Sequence, residues 1–259
     1  MKISIVTPSF NQRAFLKETL QSILTQQGDF ELEVLVIDGE STDGSVDLLR
    51  PITDPRLQWT SEKDRGQSDA INKGLARATG DVVAWLNSDD LYTPGAFDAV
   101  SRAFQSHPHK QWLVGNCDII DEAGNVIRPR ITRYKWKRLQ RYSFRQLLRE
   151  NIINQPSVFW RRSFGQRAGA LDESLHWTMD YDLWLRFGKQ ADPLILDFTT
   201  SQFRIHTQSK SGQVDRRQFD EQFAVASRYF DGDRRSRLIH RVNVEKIVWA
   251  YRIMKFLGR

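Results

Sequence analysis

Four short aliphatic runs, at residues 3–6, 32–37, 57–60 and 82–86, alternate with stretches of helical periodicity, and this alternation constrains the fold more than any other feature. It is the pattern of βαβ units and predicts an α/β fold whose sheet is mainly parallel and flanked by helices. Residues 13–25 place Phe15, Leu16, Leu20, Ile23 and Leu24 at helical spacing and stop before Gly28. A turn over residues 38–44 leads into a short helix at 45–49, with Ser41 or Thr42 placed to cap it. Another helix spans 67–77, bounded by Gly66 and Gly80. With 259 residues and 40% hydrophobic content, the chain can build one large catalytic-sized domain plus an appendage.

Three of the runs end in polar loops: residues 7–11, 38–43 and 87–90. In open α/β sheets ligands gather in the crevice beyond the carboxyl ends of the strands, so these loops are expected to form a ligand site. The last is the most informative, because Val82-Val83-Ala84-Trp85-Leu86 stops at Asn87-Ser88-Asp89-Asp90. Carboxylates there can hold a hard divalent cation that shares its oxygen ligands with phosphates. The competing interpretation is an ordinary turn, with Asp90 capping the next helix. Neither a Gly-x-Gly-x-x-Gly cradle nor a Walker pattern follows the first strand; Thr7-Pro8-Ser9-Phe10-Asn11 stands there instead. Phosphate charge is therefore left to a metal ion and cationic side chains.

The net charge of +6 favours anionic partners, without choosing among nucleotides, nucleic acid and acidic membrane. The single cysteine, Cys117, excludes an internal disulfide, fits a reducing cytosol and is expected to be a small packed residue. The N-terminus reads as a first strand, not a secretory leader, and no segment has the apolar length to span a bilayer. The expected location is cytoplasmic, with peripheral attachment to the cytoplasmic membrane face.

Four blocks in order resemble the family two inverting glycosyltransferases, whose nucleotide-sugar-binding fold is called GT-A: residues 4–11, 37–45, 64–74 and 85–90. The likeness covers most of residues 1–210. It implies a GT-A domain over residues 1–212, with a nucleotide-sugar-binding half at 1–116 and an acceptor half at 117–212, followed by a basic helical extension at 213–259. By the same resemblance Thr7 and Asp38 would line the base and ribose pocket, with Pro8 and Asn11 beside them. Arg65 would lie near the base or diphosphate, and Asp69 near the donor sugar. Asn87-Ser88-Asp89 would be the DxD motif, with Asn87 in place of its first acid and Asp89 as the direct metal ligand. The implied cofactor is Mn²⁺ or Mg²⁺ and the implied donor a nucleotide-sugar, with a UDP-sugar expected.

The second half supplies further candidates. Asp180 opens a helical stretch and resembles the second acid of the family's Glu-Asp pair, the general base that takes a proton from the acceptor hydroxyl; Met179 replaces the Glu. Asp182 is expected to serve helix-terminal electrostatics instead. His206, in the segment Phe203-Arg204-Ile205-His206-Thr207-Gln208-Ser209-Lys210-Ser211, resembles the His of an Arg-x-His segment that completes the metal or diphosphate site. Gln155 and Trp177 are candidate acceptor-binding residues, by hydrogen bonding and stacking respectively. Arginines and lysines over residues 128–149 are interleaved with Tyr134, Trp136, Tyr142 and Phe144, and residues 234–259 read as a basic amphipathic helix. Both suggest peripheral contact with an anionic membrane, though packing on the domain or dimerisation would suit the tail too, and its oligomeric state is open. The expected function is metal-dependent inverting transfer of a sugar to a hydroxyl of a glycan or lipid-linked acceptor, in cell-surface polysaccharide biosynthesis, with no nucleic acid as partner. The alternatives are a nucleotidyltransferase of similar fold and a non-catalytic module binding nucleic acid or membrane surface.

Overall fold

A computed structural model describes residues 1–207, 209 and 216–256, with residues 250–256 as backbone only. The chain runs β1 (Lys2–Ser9), α1 (Arg13–Leu24), β2 (Glu31–Asp38), α2 (Ser45–Leu49), β3 (Leu57–Ser61), α3 (Gln67–Arg77) and β4 (Val82–Trp85). It continues β5 (Leu91–Tyr92), α4 (Ala96–Ser106), β6 (Trp112–Ile120), β7 (Val126–Ile127), α5 (Pro129–Leu139), α6 (Phe144–Arg149) and a 3-10 turn at Gln155–Ser157. Last come β8 (Val158–Arg161), α7 (Arg162–Ala168), α8 (Met179–Gln190), β9 (Leu194–Arg204), α9 (Arg216–Ser227) and α10 (Arg234–Phe256).

The strands form one mixed sheet in the order β3-β2-β1-β4-β8-β6-β9-β5, with β7 on the side of β6. The first four are parallel, as the βαβ pattern requires, and β8 enters antiparallel between β4 and β6. Helices cover both faces of the parallel part, so β1 and β2 are buried at nearly every position and do not alternate. Ser9 lies opposite Asp38, and Val6 opposite Trp85, so the expected convergence of the three loops at one sheet edge is realised. Gly74 lets α3 press onto this edge, since a Cβ there would lie 2.3 Å from a Val6 methyl.

The second half is built around tryptophans. Trp184 of α8 stacks on Trp85 of β4, centroids 5.5 Å apart, and on Trp112 of β6 at 6.2 Å, while Trp160 of β8 meets it at a steep angle. Trp85, Trp112, Trp160 and Trp184 are all fully buried, so α8 is fixed against the strands that end in the polar loops. At the opposite end of β1, Glu33 accepts hydrogen bonds from Ser4 Oγ, Thr79 N–H and Oγ1, and Lys2 Nζ.

Some sequence expectations give way here. Neither Ser41 nor Thr42 caps α2; Gly44, in the left-handed region at φ 87°, takes the N-cap position without a side-chain bond. The basic stretch 128–149 is not one exposed face. Trp136, Tyr142 and Phe144 turn inward and pack against the core, leaving Ile131, Tyr134 and arginines outside. The tail helix α10 docks by its inner face on α6: His240 Nδ1 lies 2.7 Å from Leu148 O, Arg149 Nε donates to Ser236 Oγ at 2.9 Å, and Asn243 Nδ2 donates to Arg149 O at 3.1 Å. Its outer face exposes Leu238, Val242 and Trp249. The side chains of Tyr251, Arg252, Ile253, Met254 and Lys255, together with Leu257, Gln208, Lys210 and Ser211, lie outside the described residues.

Candidate active site

The loops after β1 and β2 are built as one unit. Asp38 is fully buried, and its carboxylate accepts the Ser41 N–H at 2.9 Å, the Ser41 hydroxyl at 2.5 Å and the Ser61 hydroxyl at 2.7 Å. Asn11, in the left-handed region at φ 53°, donates its N–H to Ser41 Oγ at 2.8 Å and accepts the Thr42 N–H on its side-chain oxygen at 2.9 Å. Thr7 and Pro8 are buried beneath this loop, and the Thr7 hydroxyl has no hydrogen-bond partner among the described residues. The exposed residues of the first loop are Phe10 and Asn11, with Thr7, Pro8 and Asp38 buried behind them.

Beyond β4 the polar groups link the two halves of the sheet. Gln67 Nε2 donates to Asn87 Oδ1 at 2.8 Å, Asn87 Nδ2 donates to Gln155 Oε1 at 3.2 Å, and Gln155 Nε2 donates to Trp85 O at 2.8 Å. Gln155, expected to face an acceptor, thus engages both ends of its amide with the β4 edge. Ser88 is buried. Asp89 Oδ2 lies 2.9 Å from His206 Nε2, and the His206 ring packs on Phe15. Arg204, two residues before this histidine and buried, donates to Asp89 O at 2.8 Å, Glu122 O at 2.9 Å and Glu18 Oε2 at 2.7 Å. Asp90 is no helix cap. It is fully buried, its carboxylate accepts the Arg204 N–H at 2.9 Å, and burial with the neighbouring Asp89 charge pushes its pKa well up. The next helix, α4, starts behind Gly95.

Arg65 and Asp69 form a salt bridge at 2.9 Å, and Asp69 also accepts the Arg65 N–H at 3.0 Å and lies 3.3 Å from Lys73 Nζ. These contacts, the Arg65 N–H foremost, hold the Asp69 carboxyl below its usual range. Arg65 reaches on to Glu173 at 2.9 Å, a partner no sequence pattern had indicated.

Asp180 stands in the first turn of α8, where its Oδ1 accepts the Tyr181 N–H at 2.7 Å. Desolvation pushes its pKa up to about 6, against the Tyr181 N–H and the Lys135 ammonium, which favour the charged form. Lys135, in the basic segment read as membrane-facing, instead turns inward: Nζ donates to Asn154 Oδ1 at 2.7 Å, and burial lowers its pKa against the pull of Cys117, Asp180 and Glu150. Cys117 is buried, with its thiol pushed up to about 12. Asp182, also in the first turn of α8, pairs with Arg186 at 2.9 Å and Arg228 at 3.4 Å. Trp177, just before α8, carries the Arg217 guanidinium over its ring at 5.4 Å.

Among the described residues no group of three or more His, Cys, Asp or Glu side chains is placed to hold a metal. Asp89 and His206 nonetheless fit a divalent cation that draws its remaining oxygens from a bound diphosphate and water, as Mg²⁺ and Mn²⁺ commonly do.

Sheet order, flanking helices and the loop cluster beyond the parallel strands define the GT-A class of α/β fold. The same architecture occurs in Staphylococcus aureus TarS, solved in complex with UDP-GlcNAc, at a TM-score of 0.71 and 17% identity over 90% of this chain and 68% of that one. It occurs also in the mannosyltransferase PcManGT of Pyrobaculum calidifontis, in complex with GDP-Man and Mn²⁺, at a TM-score of 0.65 and 20% identity over 87% of this chain and 64% of that one. The family model for glycosyl transferase family 2 matches residues 4–168, and the chain belongs to that family. An uncharacterized glycosyltransferase of Rickettsia conorii is 24% identical over 215 residues, 82% of this chain and 35% of its own length. One of Nostoc is 30% identical over 132 residues, 48% of this chain and 41% of its own. The chain thus spans about a third to two fifths of these curated relatives.

Proposed function

We propose that the chain transfers a sugar, with inversion, from a nucleoside diphosphate sugar to a hydroxyl acceptor. One observation carries this: two sets of polar contacts, adjoining at residues 154 and 155, lie between the donor-side helix and the candidate base. Hydrogen bonds link Gln67 to Asn87 and Asn87 to Gln155, while the adjacent residue, Asn154, accepts from Lys135, whose ammonium acts electrostatically on Asp180. The loops organised by Asp38 and Asn11 would seat the nucleoside, with Arg65 and Asp69 at their edge. Asp89 and His206 would hold a Mn²⁺ or Mg²⁺ ion. Such an ion, when bound, neutralises charge on the leaving diphosphate.

Asp180 acts on the other reactant. A carboxylate with its pKa near 6 is ionised at neutral pH yet basic enough to accept a proton. As the acceptor oxygen bonds to the anomeric carbon, its proton passes to Asp180 and the bond to the diphosphate oxygen breaks, which inverts the anomeric centre in one step. A UDP- or GDP-sugar is the donor suggested by what TarS and PcManGT hold. Residues 1–212 then form the transferase domain. The outward Leu238, Val242 and Trp249 of α10, set among arginines, favour an acceptor at an anionic membrane surface, lipid-linked or glycan. Among the described residues no helix is long and apolar enough to cross a membrane.

A screen of UDP-, GDP- and dTDP-sugars with Mn²⁺ or Mg²⁺, reading nucleotide release and product anomer by NMR, tests the proposal. Release by the wild type and its loss in Asp180→Asn are expected. No release with any donor, or equal release by Asp180→Asn, overturns it.

A further inference from the structure

The segment that delivers Asp180 is held from outside the family-2 match. Residues 176–178 precede α8, and their three consecutive N–H groups all point at one side chain, Glu221 of α9. Its Oε2 accepts the His176 N–H at 3.0 Å, and its Oε1 accepts the Trp177 N–H at 2.9 Å, the Thr178 N–H at 2.8 Å and the Thr178 hydroxyl at 2.7 Å. Backbone donors at a helix start are ordinarily satisfied by a neighbouring side chain. Thr178 is the N-cap residue of α8 but makes no side-chain cap bond of its own, and its hydroxyl donates to Glu221 instead. Charge-assisted bonds of this kind are roughly twice as strong as neutral ones.

We propose that Glu221 is a positioning residue for transfer: it fixes residues 176–178, and through them Trp177 and the first turn of α8, so that the C-terminal extension is an integral part of the active site. This rests on Asp180 being the base. Glu221 lies well past residue 168, where the family match ends. One turn earlier on α9, Arg217 sits over the Trp177 ring, so the same helix holds the segment by backbone and by side chain. Past the end of α9, Arg228 reaches Asp182 on α8 and Asp172 in the loop before it. Two contacts from α9 and a third from the residue just past its end thus hold the approach to α8.

The carboxylate also has an electrostatic consequence. Burial would raise the Glu221 pKa, but the donated hydrogen bonds outweigh it and keep the group ionised below its usual range. Its negative charge then adds to the desolvation that raises Asp180. The charged groups facing this turn are Lys135 from α5, Glu221 and Arg217 from α9, and Asp182 with its partners Arg186 and Arg228. Lys135 and Glu221 pull the base in opposite directions.

The test uses the full chain with Glu221→Gln, and Glu221→Asp as a second variant that keeps the charge. Two readouts need no substrate: amide hydrogen exchange at residues 176–178, and a ¹³C-carboxyl NMR titration of Asp180, assigned by its loss in Asp180→Asn. In Glu221→Gln, exchange at 176–178 should quicken at least tenfold, and the Asp180 midpoint should move to lower pH. In Glu221→Asp the midpoint should return toward the wild-type value. With UDP-GlcNAc and Mn²⁺ as probe, kcat should fall roughly tenfold or more while the donor KM stays within about twofold, since 1.4 kcal/mol of lost transition-state positioning is tenfold in rate. Wild-type exchange and an unmoved midpoint in Glu221→Gln overturn the proposal. Turnover retained by Asp180→Asn would instead overturn the assignment of the base, and the two failures are read separately.

Discussion

Replacing Asp180 by Asn should make the protein more stable in a pH-dependent way while removing transfer. The side-chain oxygen of Asn can still accept the Tyr181 N–H, so the start of α8 keeps its bond. What changes is the proton. The Asp180 pKa rises from the ordinary 3.8 to about 6 in the fold, so the native state binds a proton more tightly than the unfolded chain does. Stability from that proton is fully present below about pH 4 and is lost as pH rises through about 6. The difference corresponds to about 3 kcal/mol in full, and to about 1–2 kcal/mol once solvent access at this half-buried site is allowed for. Relative to the wild type, Asp180→Asn should therefore gain about 1–2 kcal/mol between pH 4 and pH 8, and level off above about pH 7. Urea denaturation at the two pH values reads the gain directly. The wild-type kcat should carry an acid limb near pH 6 that the variant cannot show. A stability difference equal at pH 4 and pH 8 would refute the argument that Asp180 is desolvated.

Asp89→Ala should weaken Mn²⁺-dependent UDP binding about tenfold or more and leave metal-free binding alone; calorimetry with identical Mn²⁺-dependent affinity would contradict it. Glu33 behaves oppositely to Asp180: burial raises its pKa, but hydrogen bonds from Ser4, Thr79 and Lys2 outweigh it and bring it to about 2. Its contribution is present above about pH 4.5 and lost as pH falls toward 2, so Glu33→Gln should cost roughly 1–3 kcal/mol at pH 7 and almost nothing near pH 2, measured by thermal melts. Replacing both Leu238 and Trp249 of α10 by Ser should cut sedimentation with phosphatidylserine vesicles severalfold at low salt, without changing the melting temperature. Equal sedimentation of wild type and variant would remove the membrane role of this face.

The parallel half of the fold was legible in the sequence because its signals are local. Expected helices at 45–49 and 67–77 appear as Ser45–Leu49 and Gln67–Arg77, and β2, β3 and β4 end within a residue of where their aliphatic runs stop, whereas β1 continues past its run to Ser9. Convergence of the loops followed from the rule for parallel strands. The second half was less legible, since β8 inserts antiparallel between β4 and β6, an order that no periodicity encodes. Local reasoning also misassigned Asp90, whose partner is the Arg204 N–H far along the chain, and Lys135, whose basic segment reads as membrane-facing but which turns inward to Asn154. Arg204 left one usable hint: it ends β9 two residues before His206, in the same polar segment. Glu173 and Glu221 left none, because a surface acid and a distant backbone partner look alike in sequence.

The amide path Gln67–Asn87–Gln155 gives the amide of Asn87 a use that a carboxylate could not fill. Asn87 both accepts from Gln67 and donates to Gln155 and to the buried Asp90. An aspartate could do only the first, and would set a second negative charge beside Asp90. None of the three amides ionises, so the hydrogen bonds that join the two halves of the sheet at Gln67, Asn87 and Gln155 carry no titrating group of their own.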